Sequence, residues 1–212
     1  LYNCAAVLRD GHCLGIVPKV HLPNHGEFYE QRQFSSGADL PASAAVMVRG
    51  EPVPMGTDLL FAHETLDNYT FGVEICEDMW APDPPCRTLC ENGALIIANL
   101  SASDEVIGKA EYRRTLISAT SGRLACGYIY CAAGLEESTQ DMVFSRHNLI
   151  AENGAILAEN KPFGDKVFTV TEIDVNKLAN ERHHNTTIAD DGDDACIVPF
   201  AQPIRETALT RY

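Results

Sequence analysis

A cysteine that ends a predicted strand is the side chain with the clearest chemical potential in this sequence. Cys76 follows an alternating apolar run over residues 69–75 and precedes the acidic pair Glu77 and Asp78. A thiol on such a strand-to-turn elbow is sterically exposed, and the backbone N–H groups after it can serve as an oxyanion hole. The pattern therefore indicates nucleophilic attack on a carbonyl carbon. The alternative is a buried structural cysteine, because free cysteine behaves as a small hydrophobe.

The charges around this cysteine set a condition on its reactivity. Glu74, Glu77 and Asp78 flank the thiol, and like charges raise the pKa of a thiol, which disfavours the reactive thiolate. The thiol therefore needs a neighbouring cation or a matched base to act as a nucleophile. Lys19, at the predicted end of an earlier strand, is the candidate cation.

Predicted strands and helices must hold these two side chains in place. The alternation of Phe71, Val73 and Ile75 with smaller or polar residues puts Cys76 on the face opposite the apolar set, together with Glu74. Residues 20–56 have poor periodicity and predict a long irregular segment around one short helix. Strands are predicted at 1–8, 13–17, 58–62, 69–76, 94–100, 127–133, 147–151, 155–159 and 167–173, and helices at 27–33, 86–92, from an N-cap within 101–104 to about 124, and at 175–182.

Composition restricts the class of protein. The 212 residues carry 16 Lys and Arg against 30 Asp and Glu, for a formal charge of -14, which argues against a partner that is nucleic acid or an anionic membrane. No apolar run approaches the roughly 18 residues of a membrane span, and no glycine-rich phosphate loop is present. Eight cysteines would allow four disulfides, but a chain of this size does not need them, so we expect a reduced, cytoplasmic protein.

Two further groups of side chains have structural interpretations. Glu74 is as readily explained by a buried ion pair with Arg113 or Arg114 as by a role in a site. Cys86 and Cys90 are spaced like neighbours on a helix turn, but no second Cys or His pair completes a set of four ligands nearby. We therefore predict no metal site.

Several motifs together resemble the nitrilase superfamily of carbon-nitrogen hydrolases, and within it the glutaminase domains of glutamine-dependent NAD synthetases. The resemblance covers nearly the whole chain and implies an α/β fold, the nitrilase-type αββα sandwich, with a triad of Glu, Lys and Cys. The motifs are PKVHLPN at 18–24, EFYEQR at 27–32, PMGTDLLF at 54–61, EICEDMW at 74–80, ANLSAS at 98–103, IGK at 107–109, EST at 137–139, ENGA at 152–155, PF at 199–200 and LTRY at 209–212.

The resemblance assigns the catalytic roles. Cys76 is the nucleophile, Lys19 stabilises the oxyanion, and Glu30 is a second glutamate that supports the site. The general base of the triad normally comes from a strand upstream of this sequence, so we expect an internal fragment without its first strand and helices. Residues 1–188 would then form most of the glutaminase domain, and 189–212 a linker toward an absent ATP-dependent synthetase domain.

The resemblance also points to four residues that bind the substrate, namely Ser103, Lys109, His25 and Glu77. Lys109 stands where arginine is common and could meet a carboxylate as a point charge. His25 stands where tyrosine is usual. The alternatives without a binding role are a helix N-cap for Ser103 and a solvated helix charge for Lys109.

The implied reaction is hydrolysis of the glutamine side-chain amide through a cysteine thioester. The domain would need no cofactor of its own, while ATP and Mg²⁺ would serve the synthetase domain, which uses the ammonia to convert deamido-NAD to NAD. The resemblance further implies a homo-oligomer. The alternative functions are a stand-alone nitrilase-type amidase or carbamoylase, and a non-enzymatic fragment that folds only against its missing portions.

Overall fold

The computed structural model describes residues 1–137, 141–185, 187–188 and 195–204. Within these ranges the chain forms one seven-stranded sheet, two antiparallel hairpins outside it, and three α-helices. The strands are β1 (Cys4–Arg9), β2 (His12–Pro18), β3 (Ala45–Val48), β4 (Glu51–Pro54), β5 (Leu59–His63), β6 (Thr70–Ile75), β7 (Ile96–Ser101), β8 (Gly127–Ala132), β9 (Leu149–Glu152), β10 (Ala155–Glu159) and β11 (Cys196–Phe200). The helices are α1 (Pro85–Glu91), α2 (Lys109–Arg123) and α3 (Val175–His184).

Three parallel strands form the centre of the seven-stranded sheet. The strand order is β10-β9-β8-β7-β6-β5-β11, and β6, β7 and β8 run parallel. The connections from β6 to β7 and from β7 to β8 carry α1 and α2, as parallel neighbours require a crossover. Because the carboxyl ends of β6 and β7 lie side by side, residues 76 and 101–103 meet at one edge of the sheet.

The sheet separates two apolar layers. On one face it packs against α1 and α2, and this core is formed by Leu60, Met79, Cys86, Leu89, Cys90, Ala94, Ile97, Ile117, Leu124, Cys126, Tyr128, Tyr130, Leu149 and Ala151. On the other face it packs against the β1–β2 hairpin through Val17, Leu59, Phe61, Val73, Val198 and Phe200. A helical layer, a large sheet and a second β layer agree with the predicted α/β sandwich.

The β1–β2 and β9–β10 hairpins were predicted correctly. Asn153 and Gly154 both have positive φ, 45° and 86°, which is the two-residue turn that an Asn-Gly pair favours. Asp10 and Gly11 close β1 and β2 with φ of 48° and 84°. The β1–β2 hairpin places Lys19 directly after the end of β2, as predicted.

Other predicted elements were wrong. The segment predicted as irregular contains the β3–β4 hairpin, closed by Arg49 and Gly50, and its predicted helix is only a 3-10 turn, Glu30–Arg32. Residues 167–173 are predicted as a strand but form none, and the side chains of Val167 and Val170 are exposed.

The helix predicted to begin within residues 101–104 begins later. Gly108, with φ of 84°, occupies the N-cap position of α2, and no side chain caps this end. Ser101 instead belongs to β7, which extends further than its apolar run. Within the range 189–212 predicted as a linker, Cys196–Phe200 form β11 and pair in parallel with β5. The assignment of 1–188 to one domain stays a prediction, as do motifs within 138–140 and 205–212, which lie outside the described residues.

No helix in the described part of the chain is long and apolar enough to cross a membrane.

We expect Arg182→Ala to lower the free energy of unfolding by roughly 2 kcal/mol, since it removes several charge-assisted hydrogen bonds. The guanidinium of Arg182, on α3, donates at 2.6–3.2 Å to the carbonyl oxygens of Cys90, Ala94, Leu124 and Ala125. It thereby satisfies carbonyls at and beyond the carboxyl ends of α1 and α2. Urea unfolding would measure the loss, with exposed Arg123→Ala as the matched control. Equal midpoints for the two variants would contradict the prediction.

Candidate active site

Cys76 occupies an elbow between strand and helix. β6 ends at Ile75, and Cys76 has φ of 51°, a value that non-glycine residues seldom adopt. The 3-10 helix Cys76–Trp80 begins at once, so the strand alternation stops at Ile75 and does not set the direction of the thiol. The predicted elbow is therefore correct. The predicted exposure is wrong, because Cys76 is only 9% exposed.

Lys19 and Glu30 form an ion pair next to this elbow. Lys19 follows β2 and is 1% exposed, and its Nζ lies 2.8 Å from both carboxylate oxygens of Glu30. Its backbone N–H donates to the carbonyl oxygen of Asn3 at 2.8 Å. The carboxylate offsets much of the ammonium's charge but fixes its position, so Lys19 can offer the oxyanion a positioned N–H donor, as its predicted role requires.

Asp78 joins the two segments that carry the cation and the thiol. Its Oδ1 accepts the backbone N–H groups of Val20 at 3.1 Å and His21 at 2.7 Å, immediately after Lys19. Its Oδ2 accepts the N–H of Ile75 at 2.9 Å, immediately before the nucleophile. The sequence analysis treated this carboxylate only as a charge beside the thiol. It missed the hydrogen bonds by which Asp78 holds the segment after Lys19 against the end of β6.

The pKa of the Cys76 thiol is raised, chiefly by burial. The Lys19 ammonium and hydrogen bonds from Ser101 and the Ala102 backbone lower it, whereas the carboxylate of Glu30 raises it. The direction agrees with the prediction, but the cause does not. We had expected the flanking acidic residues to raise it, and burial accounts for most of the shift.

Cys76 borders two cavities. The first, of about 450 Å³, brings it together with all four residues predicted to bind substrate: His25, Glu77, Ser103 and Lys109. Pro23, Phe28, Trp80, Ile107, Gly108 and Tyr112 complete its wall. The second, of about 430 Å³, contains Lys19, Glu30, Ser101, Ala102 and Glu137 among its lining residues. An open groove of about 810 Å³ adjoins the first cavity but lacks the thiol, so we place the site around Cys76.

The polar residues of the first cavity are held by specific contacts. Lys109 opens α2, forms an ion pair with Asp104, and its Nζ lies 5.7 Å from the centre of the Trp80 ring. The imidazole Nε2 of His25 lies 3.4 Å from a carboxylate oxygen of Glu77. Ser103 is buried and does not cap α2. The two structural alternatives, a helix cap for Ser103 and a solvated charge for Lys109, are therefore wrong.

Glu74 is a buried acid on the helix side of the sheet, away from both predicted arginine partners. It accepts the hydroxyl of Tyr128, the backbone N–H of Cys86 at 2.9 Å and the amide of Asn99 at 3.4 Å. The ion pair predicted with Arg113 or Arg114 is wrong, because Arg113 contacts Glu105 and Arg114 contacts Glu159 instead. Burial raises the pKa of Glu74 against these hydrogen bonds.

We expect the stability of the protein to fall as pH rises through the raised pKa of Glu74. A raised pKa means that the folded state holds this proton more tightly than the unfolded state, so the stabilisation is present at low pH and is lost on ionisation. Glu74→Gln keeps the shape of the protonated acid and should flatten that part of the profile. Urea midpoints measured against pH would test this, with Glu77→Gln as the control. An unchanged slope in Glu74→Gln would contradict it.

Among the described residues, no three His, Cys, Asp or Glu side chains are grouped so that they could hold a metal ion. Ser138 and Thr139 of the EST motif lie outside the described residues.

Comparison with known proteins relates the site to one family. A profile of the carbon-nitrogen hydrolases matches residues 1–182. The chain is 42% identical over 191 residues to a glutamine-dependent NAD(+) synthetase of Mycobacterium bovis, covering 90% of this chain and 28% of that protein. It is 31% identical over 171 residues to the Thermotoga maritima enzyme of the same name, covering 80% and 26%. The chain thus spans little more than a quarter of these relatives.

Solved structures agree with the fold. A glutamine-dependent NAD(+) synthetase from Cytophaga hutchinsonii superposes with a TM-score of 0.65 and 28% identity, over 80% of this chain and 27% of that one. A carbon-nitrogen hydrolase from Helicobacter pylori superposes with a TM-score of 0.64 over 86% and 60%, and its 21% identity supports the fold alone.

Proposed function

The chain belongs to the carbon-nitrogen hydrolase family, and from that membership we propose that it is the glutamine-hydrolysing part of an NAD synthetase. One observation carries the proposal. Cys76 lines two cavities, with the Lys19–Glu30 ion pair beside one and the polar groups of Ser103 and Lys109 beside the other. A nucleophile between a fixed cation and a pocket with both polar and aromatic walls suits an amide that carries charged groups at its far end.

In the proposed reaction Cys76 is the nucleophile, and Lys19 and Glu30 act beside it. The sulfur of Cys76 attacks the side-chain amide carbon of glutamine, and the carbonyl oxygen gains negative charge that Lys19 and backbone N–H groups at 76–77 offset. The C–N bond then breaks, and the leaving nitrogen takes the proton released by the thiol and departs as ammonia. Water attacks the resulting thioester carbon, which gives glutamate and restores the thiol. Glu30 holds the ammonium of Lys19 at this position throughout.

The far end of the substrate would lie in the first cavity. The α-carboxylate of glutamine would meet Lys109, with Ser103 donating a hydrogen bond. Glu77 and His25 would face its α-ammonium, and Trp80 would contact the aliphatic chain. His25 replaces the tyrosine usual in the family and, when neutral, can either donate or accept a hydrogen bond there.

In the longer protein, ammonia would pass to a synthetase portion that uses ATP and Mg²⁺ to convert deamido-NAD to NAD, while this domain needs no cofactor. We further propose a cytoplasmic homo-oligomer. The chain alone should hydrolyse glutamine weakly, because the base that the resemblance places on an earlier strand is not among its residues. Steady ammonia release from the purified chain would overturn this last point.

Covalent labelling tests the proposed function. The chain would be incubated with a diazoketone analogue of glutamine, and the adduct located by intact mass and peptide mapping. We expect one adduct on Cys76 that excess glutamine suppresses, with no adduct in Cys76→Ala. Suppression by simple aliphatic amides but not by glutamine would favour a stand-alone amidase. No adduct on a folded chain would contradict the proposal.

A further inference from the structure

The charge of Lys109 is already neutralised within the protein. Asp104, five residues earlier and just after β7, contacts its ammonium, and the two side chains are only 10% and 19% exposed. Because the contact is largely shielded from water, the two charges interact more strongly than a surface pair would. An incoming carboxylate therefore meets an ammonium whose field a neighbour largely cancels.

The other charges around the first cavity are mainly negative. Glu77 lines the cavity, and its carboxylate is approached by the mostly exposed imidazole of His25. Asp104 lies next to Lys109, behind the cavity wall. The carboxylates of Glu77 and Asp104 thus outnumber the single lysine at this cavity. An amide with only a negative charge at its far end would be poorly compensated here, whereas one that also carries an ammonium would be balanced.

We propose that Asp104 determines specificity by neutralising Lys109, so that the pocket prefers a zwitterionic amide to an anionic amide without an ammonium group. This inference rests on the proposed function and concerns the same cavity. Asp104 acts through Lys109 and through its own field, not by contact with the reacting atoms. Its effect is therefore a change in the relative affinity of ligands that differ only in charge.

Protection of Cys76 from alkylation measures that preference directly. Iodoacetamide would be the reagent, with modification of Cys76 followed by peptide mapping, since other cysteines of the chain also react. Three competing ligands would be titrated: glutamine, glutaramate, which is glutamine without its ammonium, and the decarboxylated analogue, which lacks the carboxylate. Each ligand would be tested on the wild-type chain, on Asp104→Asn, and on Glu51→Gln. The last variant is a control that removes the same charge far from the cavity.

In Asp104→Asn we expect the half-protecting concentration of glutaramate to fall roughly tenfold, as loss of a nearby unit charge implies. That of the decarboxylated analogue should rise, and that of glutamine should change less than either. Lys109→Met should reverse the effect on glutaramate. A smaller neutral variant, Asp104→Ser, repeats the comparison if the asparagine variant melts early.

The outcomes separate the two proposals. One outcome is that glutamine protects the wild-type chain while the ratios between the half-protecting concentrations of the three ligands are unchanged in both Asp104 variants. That outcome would overturn the role of Asp104 and leave the proposed function in place. Parallel weakening of all three ligands would also overturn it, because that result indicates a purely structural residue. If glutamine does not protect Cys76 in the wild-type chain, the proposed function fails, and the inference fails with it.

Discussion

Lys19→Met is expected to slow alkylation of Cys76 roughly tenfold or more at neutral pH, whereas Glu30→Gln is expected to accelerate it. The ammonium lowers the pKa of the thiol and the carboxylate raises it, so the two variants move the thiolate population in opposite directions. Removing Glu30 also releases an ammonium that now makes two contacts of 2.8 Å. The measurement is the alkylation rate of Cys76 against pH, resolved by peptide mapping.

The shift of the pH midpoint distinguishes electrostatic tuning from general loosening. Lys19→Met should move the midpoint upward and Glu30→Gln downward, while exposed Lys161→Met should leave it unchanged. A partly unfolded chain would expose the thiol and accelerate alkylation in every destabilised variant. Acceleration in both Lys19→Met and Glu30→Gln would therefore contradict the proposed electrostatic role of the ion pair.

The central strands were predictable from sequence because their burial is regular. The ALIIANL run produced β7, buried in the middle of the sheet, and the alternation before Cys76 produced β6. The β3–β4 hairpin was missed because Pro52 and Pro54 argue against a strand, although prolines are tolerated where no ladder hydrogen bond is needed. β11 was missed because its partner β5 is remote in sequence, and no local pattern reports such a pairing.

The site was predictable as a set of residue types, but not in its connections. A cysteine and a lysine at strand ends, read together with the family resemblance, placed Cys76 beside the Lys19–Glu30 pair. The burial of the thiol was not predictable, since it depends on how segments distant in sequence pack around the elbow. The contacts of Asp78 reach segments 57 and 58 residues away, and the partner of Lys109 sits in an irregular loop without periodicity. Hydrogen bonds of this kind follow from the tertiary fold.

Asp78→Ala should lower the free energy of unfolding by roughly 3 kcal/mol, because three N–H groups, one buried and two partly buried, lose a charged acceptor. Burial raises the pKa of this carboxyl group, and the N–H groups of His21 and Ile75 act in the opposite direction. Asp174→Ala provides a calibrated comparison in urea unfolding. It removes one cap from α3, where Asp174 accepts the N–H of Lys177 at 2.9 Å, and should cost about 1 kcal/mol.

Asp78→Asn tests whether the same carboxylate also aligns the site. The amide keeps an acceptor oxygen for some of the N–H groups but turns an NH₂ toward the others, so the segment after Lys19 should separate from the elbow of Cys76. A lysine held less closely lowers the pKa of the thiol less, and the alkylation midpoint should then move upward even in a variant that remains folded. A stability loss with an unchanged midpoint would show that Asp78 supports the fold alone. An upward shift together with intact melting would show that it sets the distance between cation and nucleophile.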